Sequence, residues 1–446
     1  MSGAFHTRGN YAPVVEELTT GGLSVTGSLP ADLCGTYVRN GPNPVSGDAR
    51  FWFSGEGMLH GVALRNGTAA WYRNRWVRTP WLHDPALPKI EDGTPRLDRS
   101  LANTSVVRFA GRTLALEENS LPYEVDADLA TIGPWDMNGC LNTAMTAHPK
   151  LCPTTGELHF IGYAAQAPFL VYHVADSSGA LVCTSPIEVP GPTMIHEMGL
   201  TERHVVLFDL PVVMQRMTRR QPSFAWSDTY GARIGIMPRR GSSGDVVWVD
   251  IEPCYIFHVA NCWERSDGTV VIDAARYPEL WREGSTRFAP PSVLWRYEVD
   301  PVRRTVRETQ LDDRTVEFPR IDDRLNGSCA RWTHAIGSND VMANAIVRYD
   351  LARNGESTVF DFGPGRVPGE AVVVPRAGSV EELDSWLIAF VYDAARNSSD
   401  LVVLAADDVA AGPVATVHLP QRVPFGFHGT WIDGAEQSAA IAPALT

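Results

Sequence analysis

Arg265-Ser266-Asp267-Gly268, followed by Thr269-Val270-Val271-Ile272-Asp273-Ala274, sets the pattern for the whole chain. Asp and Gly supply the local hydrogen bond and the positive φ that a tight turn needs. The β-branched run behind them carries stiff side chains that suit an extended backbone. Together they read as a turn entering a strand. The same pattern recurs in both directions. Strand-like runs are expected at Gly35–Arg39, Thr68–Arg73, Ser105–Phe109, Leu114–Glu117, Leu158–Gly162, Phe169–His173, His204–Leu210, Asp245–Val249, Val293–Glu298, Val341–Ile346, Glu370–Val374, Ser385–Tyr392 and Asp400–Leu404. Turn clusters separate them, for example Arg65-Asn66-Gly67 and Pro153-Thr154-Thr155-Gly156. Helical periodicity is poor, and its best candidate is the connection Val212–Arg220. The Gly-rich Ser54–Gly61 reads as a tight turn, since it is not G-x-G-x-x-G and opens no helix.

Composition bounds the function. With 44% hydrophobic and 20% charged residues, the chain has material for a core and is not of the disordered class. A net charge of −14 argues against nucleic acid as the main partner, because phosphate binding needs a basic face. No apolar run approaches a membrane span, and Met1–His6 lacks the basic and apolar regions of a signal peptide. The seven cysteines are scattered and contain no Cys-x-x-Cys, so reduced thiols and a cytoplasmic location are expected. Only two residues, Lys89 and Lys150, are lysines, a bias read as compositional.

Short strands along the whole chain suit a sandwich, a barrel or a propeller. The propeller is favoured, because no linker interrupts the strands and 446 residues divide into seven units of about 64, room for a four-stranded blade with loops. The expected organisation is all-β, one domain over 1–446, with about 1–30 as an N-terminal extension and the start of ring closure.

Chemistry points to histidines. G-x-S-x-G and P-loop motifs are absent, and His196-Glu197 lacks the second His of H-E-x-x-H. His148, His196, His258 and His428 each sit beside an expected strand end or turn, at gaps of 48, 62 and 170 residues. Such gaps place each in a different blade, and converging imidazoles suit Fe, Cu, Zn or Ni. A single His near apolar residues is more often a hydrogen-bonded structural residue, and spacing alone does not decide between the two.

Local sequences add more. Asn40-Gly41-Pro42-Asn43-Pro44, Gly55-Glu56-Gly57-Met58-Leu59-His60, Tyr72-Arg73-Asn74-Arg75, Ala102-Asn103-Thr104, Thr146-Ala147-His148-Pro149, Phe257-His258-Val259-Ala260-Asn261, Glu317-Phe318-Pro319-Arg320, Val374-Pro375-Arg376 and His428-Gly429-Thr430-Trp431 occur in order. Through these segments the chain closely resembles the carotenoid cleavage oxygenases, which include bacterial apocarotenoid and lignostilbene cleavers. The resemblance implies a seven-bladed β-propeller, with loops and short helices capping an axial metal site. It implies one non-haem Fe(II) held by His148, His196, His258 and His428. It also implies three glutamates, Glu118, Glu317 and Glu370, that accept the outer N–H of ligand histidines and balance the charge of a dication. Thr104 is placed beside an open coordination position, its methyl obstructing that position.

The implied reaction inserts O2 across an electron-rich C=C bond and gives two carbonyl products. The implied partners are O2 and an apolar conjugated small molecule, a carotenoid or apocarotenoid. The runner-up is an aryl-alkene such as a stilbenoid or phenylpropenoid. Phenol-cleaving relatives carry a Lys immediately before the first of the three glutamates, where this chain has Glu117. Glu117 is therefore read either as meeting a hydroxyl or amine of the substrate, or as facing protein. A non-oxidative isomerase and a plain binding propeller remain the readings from other classes. The apolar segment Leu210–Met217 is open to three readings: packing, a substrate mouth, or a peripheral membrane contact.

Overall fold

The computed structural model describes residues 5–47, 51–88, 90–91, 94–215, 223–282, 285, 288–338 and 343–434. Among them, seven antiparallel sheets of four to six strands make a seven-bladed β-propeller, and the one α-helix is the four-residue Pro80–His83. The chain groups into two compact units, one of residues 1–142, 342–348 and 358–446, the other of residues 143–341 and 349–357.

The second unit shows why these sequences make blades. Leu158–Tyr163 and Leu170–Ala175 are buried along their whole length, whereas the next strand out, Leu181–Ile187, alternates between exposed and covered. Inner strands are packed on both faces and read as continuous apolar runs, while an outer strand must face water on one side. The stretch Arg265–Gly268 forms the expected turn. Arg265 N–H donates to Thr269 O at 2.9 Å, and Asp267 Oδ1 takes the Thr269 N–H at 2.9 Å. It joins Tyr255–Glu264 to Val270–Tyr277.

In the first unit the two chain ends complete each other's sheets. Val25–Gly27 pairs with Pro413–His418, and Gly429–Asp433 pairs with Gly35–Pro42. Part of the stretch expected to be an extension is thus strand, including Thr19–Gly21, which pairs with Thr68–Trp76. His418 fastens the junction, with Nε2 at 2.8 Å from Thr26 Oγ1 and Nδ1 at 2.9 Å from the buried Asp400. Strand alternation sends neighbours into different cores. Tyr37 packs with Tyr72, Ile388 and Phe390, while Val38 packs with Leu59, Val106 and Tyr123.

Two expectations are corrected. Val212–Arg220 is not a helix as far as it is described: Val212–Met214 is a strand paired with Phe224–Trp226, and residues 216–222 lie outside the described residues. The Gly-rich segment is a turn only at its start, because Gly57–Arg65 is a strand. Gly57 is needed for close approach, since a Cβ there would lie 2.1 Å from Ala102 O. Of Leu210–Met217, Leu210 and Val212 are core residues, which fits packing, and Met217 is outside the described residues. No helix among the described residues is long and apolar enough to cross a membrane.

Three fully covered histidines give the fold an acid limit. Burial holds His60 well below its ordinary 6.5, and brings His159 and His173 each down to about 4. The folded state keeps these rings neutral, whereas the unfolded chain takes up their protons as pH falls below 6.5. Stability is therefore intact above 6.5 and is lost on acidification toward 4, by about 3 kcal/mol each for His159 and His173. Metal-free protein is expected to show a thermal midpoint that falls steadily between these two pH values. A flat profile in calorimetry would contradict the burial of neutral rings.

Candidate metal centre

Each histidine is placed by an interruption of regular structure. In the second unit, His148 precedes the short strand Lys150–Leu151, and His196 precedes Met198–Leu200. His258 lies inside Tyr255–Glu264, where the pairing register shifts between Ile256 and Val259. That bulge breaks the alternation and re-aims the side chain. In the first unit, His428 ends the loop before Gly429–Asp433, and its N–H donates to Thr104 O at 3.1 Å.

The rings converge. His196 Nε2 and His258 Nε2 are 3.3 Å apart, and the His148 ring centroid is 4.3 Å from that of His196 and 5.3 Å from that of His258. Among the described residues, the candidate ligand nitrogens of His148, His196, His258 and His428 all lie within 4.8 Å of one another.

Two glutamates, the buried Glu370 and the half-buried Glu317, fix two of the rings. His258 Nδ1–H donates to Glu317 Oε2 at 2.5 Å, and the same oxygen takes the Phe318 N–H at 2.7 Å. Burial would raise the Glu317 carboxyl, but His258 and these donors outweigh it and hold the group below its ordinary range. Phe318 sits at φ 53° and stacks on His258, with ring centroids 4.8 Å apart. His428 Nδ1–H donates to Glu370 Oε1 at 3.0 Å, and Gly429 N–H donates to Oε2 at 2.8 Å. An imidazole whose Nδ1 hydrogen is committed presents a bare lone pair at Nε2, the form that binds a metal.

The donor set fits a first-row divalent ion. Metal–imidazole bonds of about 2.1 Å place ligand nitrogens roughly 3–4 Å apart, the spacing of the His196–His258 pair. Neutral imidazoles supply no charge, and the two carboxylates behind them do. Imidazole-only ligation suits Fe, Cu, Zn or Ni and disfavours Mg or Ca.

The remaining expected residues fall as follows. Thr104 lies next to His428 through its carbonyl, and its Oγ1 donates to Asn103 Oδ1 at 3.0 Å. Glu118 is half-buried in the turn after Arg112–Leu116. Glu117 is engaged by protein donors. Its Oε2 takes the Ser100 and Ser120 hydroxyls, each at 3.1 Å, and the Leu101 N–H at 2.6 Å. A carboxylate this deeply buried needs donors, and the protein supplies two from the loop that leads to Thr104 and one from the turn that follows Glu117. Glu117→Ala is expected to cost about 1–3 kcal/mol in chemical denaturation, because three donors lose their acceptor; unchanged stability would contradict that role.

Two features escaped sequence reasoning. One is Phe318 as a stacking partner. The other is an ion pair between Lys150 and Glu197. The only sequence signal for it is adjacency, with Lys150 two residues after His148 and Glu197 one after His196.

Fold and donor set together define a β-propeller with an all-histidine cluster able to bind a metal. The profile of the retinal pigment epithelial membrane protein family matches residues 11–433. The chain belongs to that family, which is the family of the carotenoid cleavage oxygenases. The carotenoid cleavage oxygenase of Mycobacterium tuberculosis (strain CDC 1551 / Oshkosh) is 37% identical, over 96% of this chain and 97% of that one. Among solved structures, the lignostilbene dioxygenase of Pseudomonas brassicacearum superposes with a TM-score of 0.87 at 28% identity, over 96% of this chain and 98% of that one. The cobalt-substituted apocarotenoid oxygenase of Synechocystis gives 0.84 at 26% identity, over 95% and 98%.

Proposed function

We propose that this chain is an Fe(II)-dependent dioxygenase that cleaves a conjugated C=C bond with O2 into two carbonyl products, with a carotenoid or apocarotenoid as substrate. The observation that carries the reading is the convergence of four imidazoles, two with their Nδ1 hydrogens held by glutamates. His148, His196, His258 and His428 would hold the iron, which when bound supplies the activation of O2. Glu317 and Glu370 set the tautomers of His258 and His428, and Glu118 is assigned as a further carboxylate that balances the charge of the dication. Thr104 is assigned to the rim of an open position, where its methyl narrows access.

The surroundings are apolar. Phe257 lies edge-on to His196 at 4.9 Å, and Phe318 covers His258. Such walls exclude water and suit a conjugated hydrocarbon. No acid, base or nucleophile is required of the protein. A reducing cytoplasmic setting belongs to this reading, supported by seven cysteines of which none is in a disulfide.

The similarity to a lignostilbene dioxygenase favours a second reading, an aryl-alkene substrate. Against it stand the acid at position 117 and the engagement of Lys150 with Glu197; Lys89 lies outside the described residues. Incubation with apocarotenoids, stilbenes and propenyl phenols, followed by mass spectrometry of aldehydes, separates the two. Aldehydes from apocarotenoids alone are expected. Cleavage confined to hydroxystilbenes would overturn the substrate assignment, and no aldehydes from any of them would overturn the oxygenase reading.

A further inference from the structure

His196-Glu197 fails as a zincin motif, yet Glu197 is among the most buried acids of the chain. Its side chain is 5% exposed, and its partner Lys150 is 17% exposed. Lys150 Nζ donates to Glu197 Oε1. The other oxygen, Oε2, takes the backbone N–H of Val259 at 2.7 Å. Each of these three residues lies one or two positions after a different histidine of the cluster, namely His148, His196 and His258. A second link joins two of the same segments: the Thr146 hydroxyl donates to His196 O at 3.0 Å and accepts the His148 N–H at 3.2 Å. All of these bonds lie within the second unit, and none passes through a metal.

We propose that the Lys150–Glu197 pair is a positioning clamp, which holds His148, His196 and His258 at ligand spacing before any metal binds. The inference rests on the four-histidine reading and deepens it. Imidazoles whose lone pairs face one another repel, so a metal-free cluster spreads unless its backbone segments are tied together. Metal affinity then includes the work of drawing the rings in. A carboxylate does this where a neutral residue does not. One oxygen binds the ammonium and the other a backbone amide, so a single side chain spans two neighbouring segments. The chain has two lysines among 38 basic residues, and one is placed here. An ammonium is a compact charge on a flexible stem that fits behind a ligand, whereas guanidinium is a broad planar fork.

The test uses the full-length protein stripped of metal. Fe(II) affinity is measured anaerobically against a competing chelator, and Co(II) absorption reports ligand geometry. Lys150→Met keeps the stem and removes the charge. Glu197→Gln keeps an oxygen for Val259 N–H and removes the ion pair. Fe(II) Kd is expected to rise about tenfold to a hundredfold in Lys150→Met, and by a smaller factor in Glu197→Gln, while thermal unfolding of the metal-free protein stays cooperative. The Co(II) bands are expected to shift in both. A Kd within about twofold of the parent in both variants, with unshifted Co(II) bands, would overturn the clamp. If Lys150→Met does not fold, Glu197→Gln decides by the same criterion. His258→Ala serves as the control. If it keeps stoichiometric metal, the four-histidine reading fails. If it loses metal while the clamp variants bind like the parent, the clamp alone fails.

Discussion

His258→Ala is expected to come through anaerobic Fe(II) loading and desalting with essentially no iron, and to lose alkene cleavage with it. His258 is tied both to the cluster and to the residues behind it. It lies 3.3 Å from His196 Nε2, it stacks under Phe318, and it carries the hydrogen bond to Glu317. Removing the ring deletes one ligand and also takes from the Glu317 carboxylate the imidazole N–H that it accepts. A carboxylate that loses one of its donors in such a site costs about 1–3 kcal/mol. The variant should therefore fail in metal content and be less stable in chemical denaturation. Elemental analysis checks the first. One iron per chain in the variant would contradict the assignment of His258 as a ligand.

Glu370→Gln is expected to lower both Fe(II) affinity and kcat/KM by about tenfold to a hundredfold, with little change in shape. Glu370 accepts from two donors at once, His428 Nδ1–H and Gly429 N–H. A glutamine has one oxygen and one NH2 in that place. Whichever way the amide turns, one donor faces another donor. If the NH2 faces His428, the ring shifts its hydrogen to Nε2 and no longer offers a lone pair to the metal. If it faces Gly429, the backbone that aims His428 moves. The loss of one negative charge behind a dication acts in the same direction. Anaerobic titration and steady-state kinetics check both effects, and values within about twofold of the parent would contradict the role.

The architecture was readable in the sequence because blades are local. A strand, a turn such as Arg265–Gly268 and the next strand carry their own signals in one short window. Interruptions of that pattern were not readable. Nothing marks the bulge at Ile256–Val259, since a bulge adds one residue to an otherwise ordinary strand. Gly57 looked like a turn residue, and the reason for it lies in Ala102, which is distant in sequence. The apolar run after Leu210 suits a helix locally, yet Val212–Met214 is paired by Phe224–Trp226.

The site divides in the same way. The histidines were legible through their flanking segments, not through spacing. Glu117 was legible as an acid in an unusual position, but its donors Ser100 and Ser120 lie on a neighbouring loop and turn. The Lys150–Glu197 pair joins residues 47 apart, each an ordinary charge in its own window.

The central claim is that this centre drives insertion of both oxygen atoms of O2 across a double bond. The direct measurement is single-turnover cleavage of an apocarotenoid under 18O2, with the label counted in both carbonyl products and trapped before exchange with water. One 18O in each product is the predicted result. Unlabelled carbonyls, or label in one product only, would contradict the account.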